Sequence, residues 1–126
     1  MKLFLSNNSS TPLYEQLKEQ IRQGILQGDP AGGGMLPSIR SLAQSLSTSI
    51  ITVKRAYDDL EQEGYIYTTP GKGTFVSPQS QEQVRRISLE ELDRQIEEVV
   101  AKAHSLGVSC AELEKTIAEK YGVHQT

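Results

Sequence analysis

Apolar residues recur every fourth position at Leu13, Leu17, Ile21 and Ile25, with Tyr14 alongside, and this stripe predicts a helix with one buried face. Thr11-Pro12 reads as its start, because threonine caps well and proline suits a first helical position whose N–H would lack a partner. Gly28 reads as its end, and Pro30 to Gly34 as loop. Pro37-Ser38 opens a second, short helix with Ile39, Leu42, Ala43 and Leu46 on its apolar side. Ser47-Thr48-Ser49 then predicts a turn. The Ser49 hydroxyl is placed to cap a third helix by accepting an amide hydrogen near Ile51 or Thr52. Val53, Ala56, Tyr57 and Leu60 share the core side of that helix, and Gly64 closes it.

The period then changes. Tyr65-Ile66-Tyr67-Thr68 and Thr74-Phe75-Val76 are rich in strand formers, and Thr69-Pro70-Gly71-Lys72-Gly73 between them supplies the residues of a tight turn. Beyond Ser77-Pro78 a polar stretch to Gln83 reads as a linker. Ser88-x-x-Glu91 has the spacing of a capping box and predicts the start of a further helix. Leu89, Leu92, Ile96, Val99, Ala103 and Leu106 follow in steps of three and four, which is a coiled-coil-like seam ending at Gly107. A second capping box, Ser109-x-x-Glu112, opens a last helix carrying Leu113, Ile117 and Tyr121 on one side.

The expected architecture is therefore mainly α with a small β-hairpin. Residues 1–78 form a winged helix-turn-helix domain, and residues 79–126 a C-terminal helical hairpin. A winged helix-turn-helix sets its second helix in a DNA major groove. The candidate reading face is Ile50, Thr52, Lys54 and Arg55, opposite the core residues of the third helix. Lys72 between two glycines suits a loop resting on phosphate or entering a minor groove. Two helices as short as those of the tail cannot cover both apolar faces alone and must pack on the first domain or on another copy. The length of the seam and the linker before it favour the second, so Leu89, Leu92, Ile96, Val99, Ala103, Leu106, Leu113 and Ile117 are expected to join two copies.

Charge sharpens this picture. The chain is slightly acidic overall, at net −3, which argues against a general polyanion binder. Its acids are unevenly placed. No Asp or Glu stands between Pro30 and Tyr57, where Arg40, Lys54 and Arg55 fall, or from Gly64 to Gln81, where Lys72 falls. Residues 79–126 carry six basic and nine acidic groups, so the tail is not expected to touch DNA. With one cysteine, Cys110, and two distant histidines, His104 and His124, there is no disulfide pair and no metal-ligand spacing. Catalytic groupings are missing from the pattern, and so is an apolar run able to span a bilayer or serve as a signal peptide. The reading is a cytoplasmic non-enzyme that needs no cofactor and no membrane.

The residues together resemble the GntR family of bacterial transcription regulators. The resemblance rests on Pro12-Leu13-Tyr14 with Gln16-Leu17, on Leu36-Pro37-Ser38-Ile39-Arg40 with Leu42-Ala43, and on Ser49, Thr52-Val53, Ala56-Tyr57 and Leu60. It continues through Gly64-Tyr65-Ile66 and Gly71-Lys72-Gly73-Thr74-Phe75-Val76, about residues 11–77 in all. The short tail resembles that of the family's YtrA-like branch. The resemblance implies a DNA-binding regulator, a repressor, that meets an inverted repeat as a homodimer. Arg40, Ser49, Thr52 and Lys54 would then touch duplex DNA, and Gly71 would reach the minor groove. Ile50 departs from the arginine common there, so recognition at that point would rest on apolar contact with a thymine methyl. The tail of 48 residues is small for a metabolite pocket, so a small-molecule effector would bind at a domain or subunit interface. The contrasting reading is a winged helix used for protein–protein interaction, which predicts no salt-sensitive DNA affinity.

Overall fold

A computed structural model describes residues 2–124. Its elements run α1 (Leu13–Leu26), β1 (Met35–Leu36), α2 (Ile39–Ser45), α3 (Ile50–Gln62), β2 (Ile66–Thr69), β3 (Gly73–Val76), α4 (Ser80–Ser105) and α5 (Cys110–Val123). The chain divides into two compact units between Ile87 and Ser88.

In the first unit α1, α2 and α3 pack around Leu17, Ile21, Ile25, Leu42, Ala43, Val53, Ala56, Tyr57 and Leu60. Leu36, Ile66 and Val76 close this core from a three-stranded antiparallel sheet ordered β1-β3-β2. The hairpin was expected; its strands set Tyr67 opposite Phe75, and they run on to pair Thr69 with Gly73, both of which had been read as turn. β1 was not expected. Its two residues, Met35 and Leu36, pair with Phe75 and Thr74, so a third strand lies where only the end of a loop was read. On the outer edge of the sheet, the Thr68 N–H donates to the Glu61 carboxylate of α3 at 2.9 Å.

Four helices, α1 to α4, end in one hydrogen-bond pattern, in which a residue in the left-handed region lets two amides turn back onto the last turn. For α3 that residue is Gly64 (φ +86°), with Gly64 N–H on Glu61 O at 3.0 Å and Tyr65 N–H on Leu60 O at 3.0 Å. In α2 the same place is held by Ser47 at φ +53°, and Thr48 N–H reaches Ala43 O at 3.0 Å. A side chain is strained there, whereas glycine is not. Ser47→Gly is accordingly expected to stabilise the first unit by about 0.5–1 kcal/mol, the strain relieved less the chain entropy glycine adds. Urea unfolding checks this as a shifted midpoint at unchanged slope.

Three expectations about helix starts need correction. Pro12 is the residue before α1 rather than its first member; no side chain caps that end, and Gln16 N–H donates to the Pro12 carbonyl at 3.1 Å. Gln16 instead serves a short arm: its amide takes the Ser6 N–H at 2.9 Å and donates to the Ser6 carbonyl at 2.9 Å. Gln20 holds the Phe4 N–H and carbonyl in the same way, so Leu3 and Leu5 of the arm lie against the core. The stretch read as a linker is largely helix, since α4 begins at Ser80, and Ser88 lies within it rather than capping it. Val84 of α4 is buried in the first core, which carries that unit past the expected boundary at residue 78 to Ile87.

Capping at Ser49 and Ser109 is as expected, and Ser38 caps α2 in the same way: each hydroxyl accepts the amide three residues on, from Thr52, Glu112 and Ser41, at 3.1 Å. In the second unit, residues 88–124, Ala103 alone is buried, at 8 % exposure, with Val108 and Leu113 half-buried. Leu89, Leu92, Ile96 and Val99 stay about half exposed, and Leu106, Ile117 and Tyr121 are exposed.

Candidate nucleic-acid interface

Three helices of modest size can present a reading face only if α3 is held firmly. Ionic and apolar contacts share that task. Lys18 of α1 is buried, and its ammonium lies 3.1 Å from Glu63 Oε1 and 3.3 Å from Asp59 Oδ2 at the far end of α3. Burial lowers the lysine's proton affinity, but the two carboxylates outweigh it and hold the pKa above the ordinary lysine value. Arg22 adds a second bond to Glu63 at 3.0 Å. Tyr57, on the core side of α3, donates its hydroxyl to the Pro37 carbonyl ahead of α2 at 2.8 Å. Burial pushes that phenol far above its usual range, so it remains a neutral donor.

The opposite side of α3 is open. Ile50 is 49 % exposed and Ile51 80 % exposed, both in the first turn. Ile51 was not among the expected contacts, yet it is more exposed than Ile50, which was. Its signal was available: two positions before Val53 on a 100° step, it lies almost directly opposite the core residues. Ser49 and Thr52 form one unit, since the Ser49 hydroxyl both caps α3 and pairs with the Thr52 hydroxyl at 2.8 Å. Arg40 is exposed in the first turn of α2, which packs against α3.

Lys54 and Arg55 differ more than the sequence suggests. The Lys54 ammonium sits 2.6 Å from Asp58 Oδ2, one turn along the same helix, so its charge is partly spent. Arg55 instead lays its guanidinium over the Tyr14 ring, 3.6 Å from the centroid. At the wing, Gly71 has φ +77° with nothing within 4 Å of where a Cβ would lie, so its dihedral rather than crowding calls for glycine. Lys72 is exposed, and its N–H closes the turn onto the Thr69 carbonyl at 2.9 Å. Tyr67 and Phe75 stack across the strands at 5.6 Å. No group of three or more metal-ligating side chains occurs among the described residues.

Residues 13–76 match the family described as "Bacterial regulatory proteins, gntR family". The chain belongs to the GntR family. It is 35 % identical over 111 residues to the HTH-type transcriptional repressor YtrA of Bacillus subtilis (strain 168), covering 88 % of this chain and 85 % of that one. A transcriptional regulator from Oenococcus oeni superimposes with a TM-score of 0.79 at 26 % identity, over 93 % of this chain and 97 % of the other. The DNA-binding domain of AraR, solved in complex with operator ORX1, superimposes with a TM-score of 0.55 at 31 % identity, over 61 % of this chain and 96 % of that domain. This GntR-family member is a DNA-binding transcription regulator with a winged helix-turn-helix. No helix among its described residues is long and apolar enough to cross a membrane.

Proposed function

We propose that the protein is a cytoplasmic repressor that binds an inverted-repeat operator as a homodimer, with the first turn of α3 in the major groove and the wing on the flanking backbone. The observation that carries this reading is the open first turn of α3, where large apolar residues stand in water on a helix clamped at its other end. About half of Ile50 and most of Ile51 lie open to solvent, and apolar contact with thymine methyl groups gives that surface a role. The long half-exposed seam of α4, continued on α5, supports assembly of two copies through Leu89, Leu92, Ile96, Val99, Leu106, Leu113 and Ile117. Ala103, being buried already, contributes shape there rather than new contact area. Two-fold assembly in turn calls for half-sites about one helical turn, or a multiple of it, apart. The relative named as a repressor and the AraR domain solved on its operator point the same way.

Footprinting on the protein's own promoter, followed by titration of the protected duplex across a salt series, tests the reading. Lys72→Ala is expected to weaken binding to all sequences alike and to shrink the salt slope by about one. Ile50→Arg is expected to change which single-base variant of the site is preferred, because its fork pairs with guanine O6 and N7. An affinity indifferent to salt would favour a protein-interaction module instead.

A further inference from the structure

Arg55 stands apart from the other cations of α1 and α3. Lys18, Arg22 and Lys54 each lie within 3.3 Å of a carboxylate. No carboxylate pairs with Arg55 among the described residues, and its guanidinium lies instead over the Tyr14 ring. The ring is well anchored. Tyr14 is half-buried in the first full turn of α1 and packs against the core, whereas Arg55 is exposed. A guanidinium stacked on a ring face keeps its N–H donors in its own plane, directed past the ring edge and free to bond. Arg55 also follows Ile51 by four residues, so the two project from nearly the same side of α3.

We infer that Tyr14 is a positioning residue for DNA binding, holding the Arg55 guanidinium extended and pre-oriented for bidentate contact with one backbone phosphate. Tyr14 itself contributes no base contact in this arrangement. The gain arises because a free arginine must be ordered when it meets a phosphate, while a stacked one is ordered beforehand. The inference rests on the proposal that this side of α3 faces DNA.

A double-mutant cycle on a footprinted duplex, run across a salt series, decides it. Arg55→Ala should lower affinity about tenfold and shrink the salt slope by about one. Tyr14→Leu, which keeps an apolar group against the core, should lower affinity about threefold with the slope retained. The same change in the Arg55→Ala background should have no effect, and Tyr14→Phe should bind like the parent. Arg55→Lys, which keeps both ring and charge but loses the planar fork, should resemble Tyr14→Leu; it keeps the test sound should Tyr14→Leu unfold in a thermal melt. Equal losses with and without Arg55 would overturn the inference, because the ring would then act on DNA or on folding by itself. Tighter binding by Tyr14→Leu would overturn it too, showing that the ring sequesters the guanidinium. No response to Arg55→Ala would remove Arg55 from the interface, while the Lys72 and Ile50 responses would still decide whether α3 and the wing meet DNA.

Discussion

Leu60→Ala is expected to lower the stability of the first unit by about 3–4 kcal/mol, the range for a leucine truncated in a core that cannot collapse. Leu60 has 0 % exposure and sits on α3 among Val53, Ala56 and Tyr57. Its carbonyl also receives the Tyr65 N–H that ends the helix, so the backbone around the new cavity is tied down and closes on it poorly. Domains of this size hold roughly 5–15 kcal/mol in all, so the variant should unfold at a melting temperature lower by ~15–20 °C. Ile51→Ala removes a similar group from the same helix with the opposite result. At 80 % exposure it should leave the melt within about 0.5 kcal/mol and change operator preference instead. Chemical unfolding and binding on a panel of base variants separate the two; a stability loss in Ile51→Ala as large as that of Leu60→Ala would refute the assignment of faces.

Ile96→Glu is expected to convert the proposed dimer to monomer and to reduce affinity for the two-half operator by about a hundredfold or more. The position lies mid-seam, half exposed in the single chain, and a carboxylate buried there would face its own copy across a two-fold axis without a partner. Two linked half-site contacts exceed one by about 10²–10⁴ through effective concentration alone, and that factor is what the variant forfeits. Affinity for an isolated half-site should be unchanged. Sedimentation gives the first readout and titration on full and half operators the second. A parent protein that is monomeric at micromolar concentration would refute the assembly.

Much of this was legible in the residues, for identifiable reasons. The helices of the first unit carry apolar stripes at helical spacing, with serine caps on α2 and α3 and glycine stops on α1 and α3, and each signal is local. β1 could not be read because two residues have no period, and Met35-Leu36 is a strand only through its pairing with Phe75 and Thr74. The start of α4 was misread because Ser88 and Glu91 repeat the spacing of a capping box, while the actual first turns, from Ser80, are as polar as a loop. What makes them helical is the burial of Val84, a tertiary fact. On α3, the exposure of Ile50, Lys54 and Arg55 was legible, whereas Ile51 was missed and Thr52 proves half-buried. That Lys54 is paired with Asp58 and Arg55 with Tyr14 was not legible, since either cation could have chosen a phosphate, an acid or a ring.

The bond from Thr68 to Glu61 bears on what the wing does when many copies crowd together. A short sheet at the surface has a rim of unsatisfied amides, and such a rim is a template on which another chain's strand can add. β1 is too short to serve, having two residues. On the β2 side, the outward amide of Thr68 is already taken by a carboxylate from α3. A passing strand would therefore have to displace a charged acceptor before its first bond could form. The wing's rim thus carries a charged guard at that amide, supplied by the helix beside it rather than by the wing's own residues.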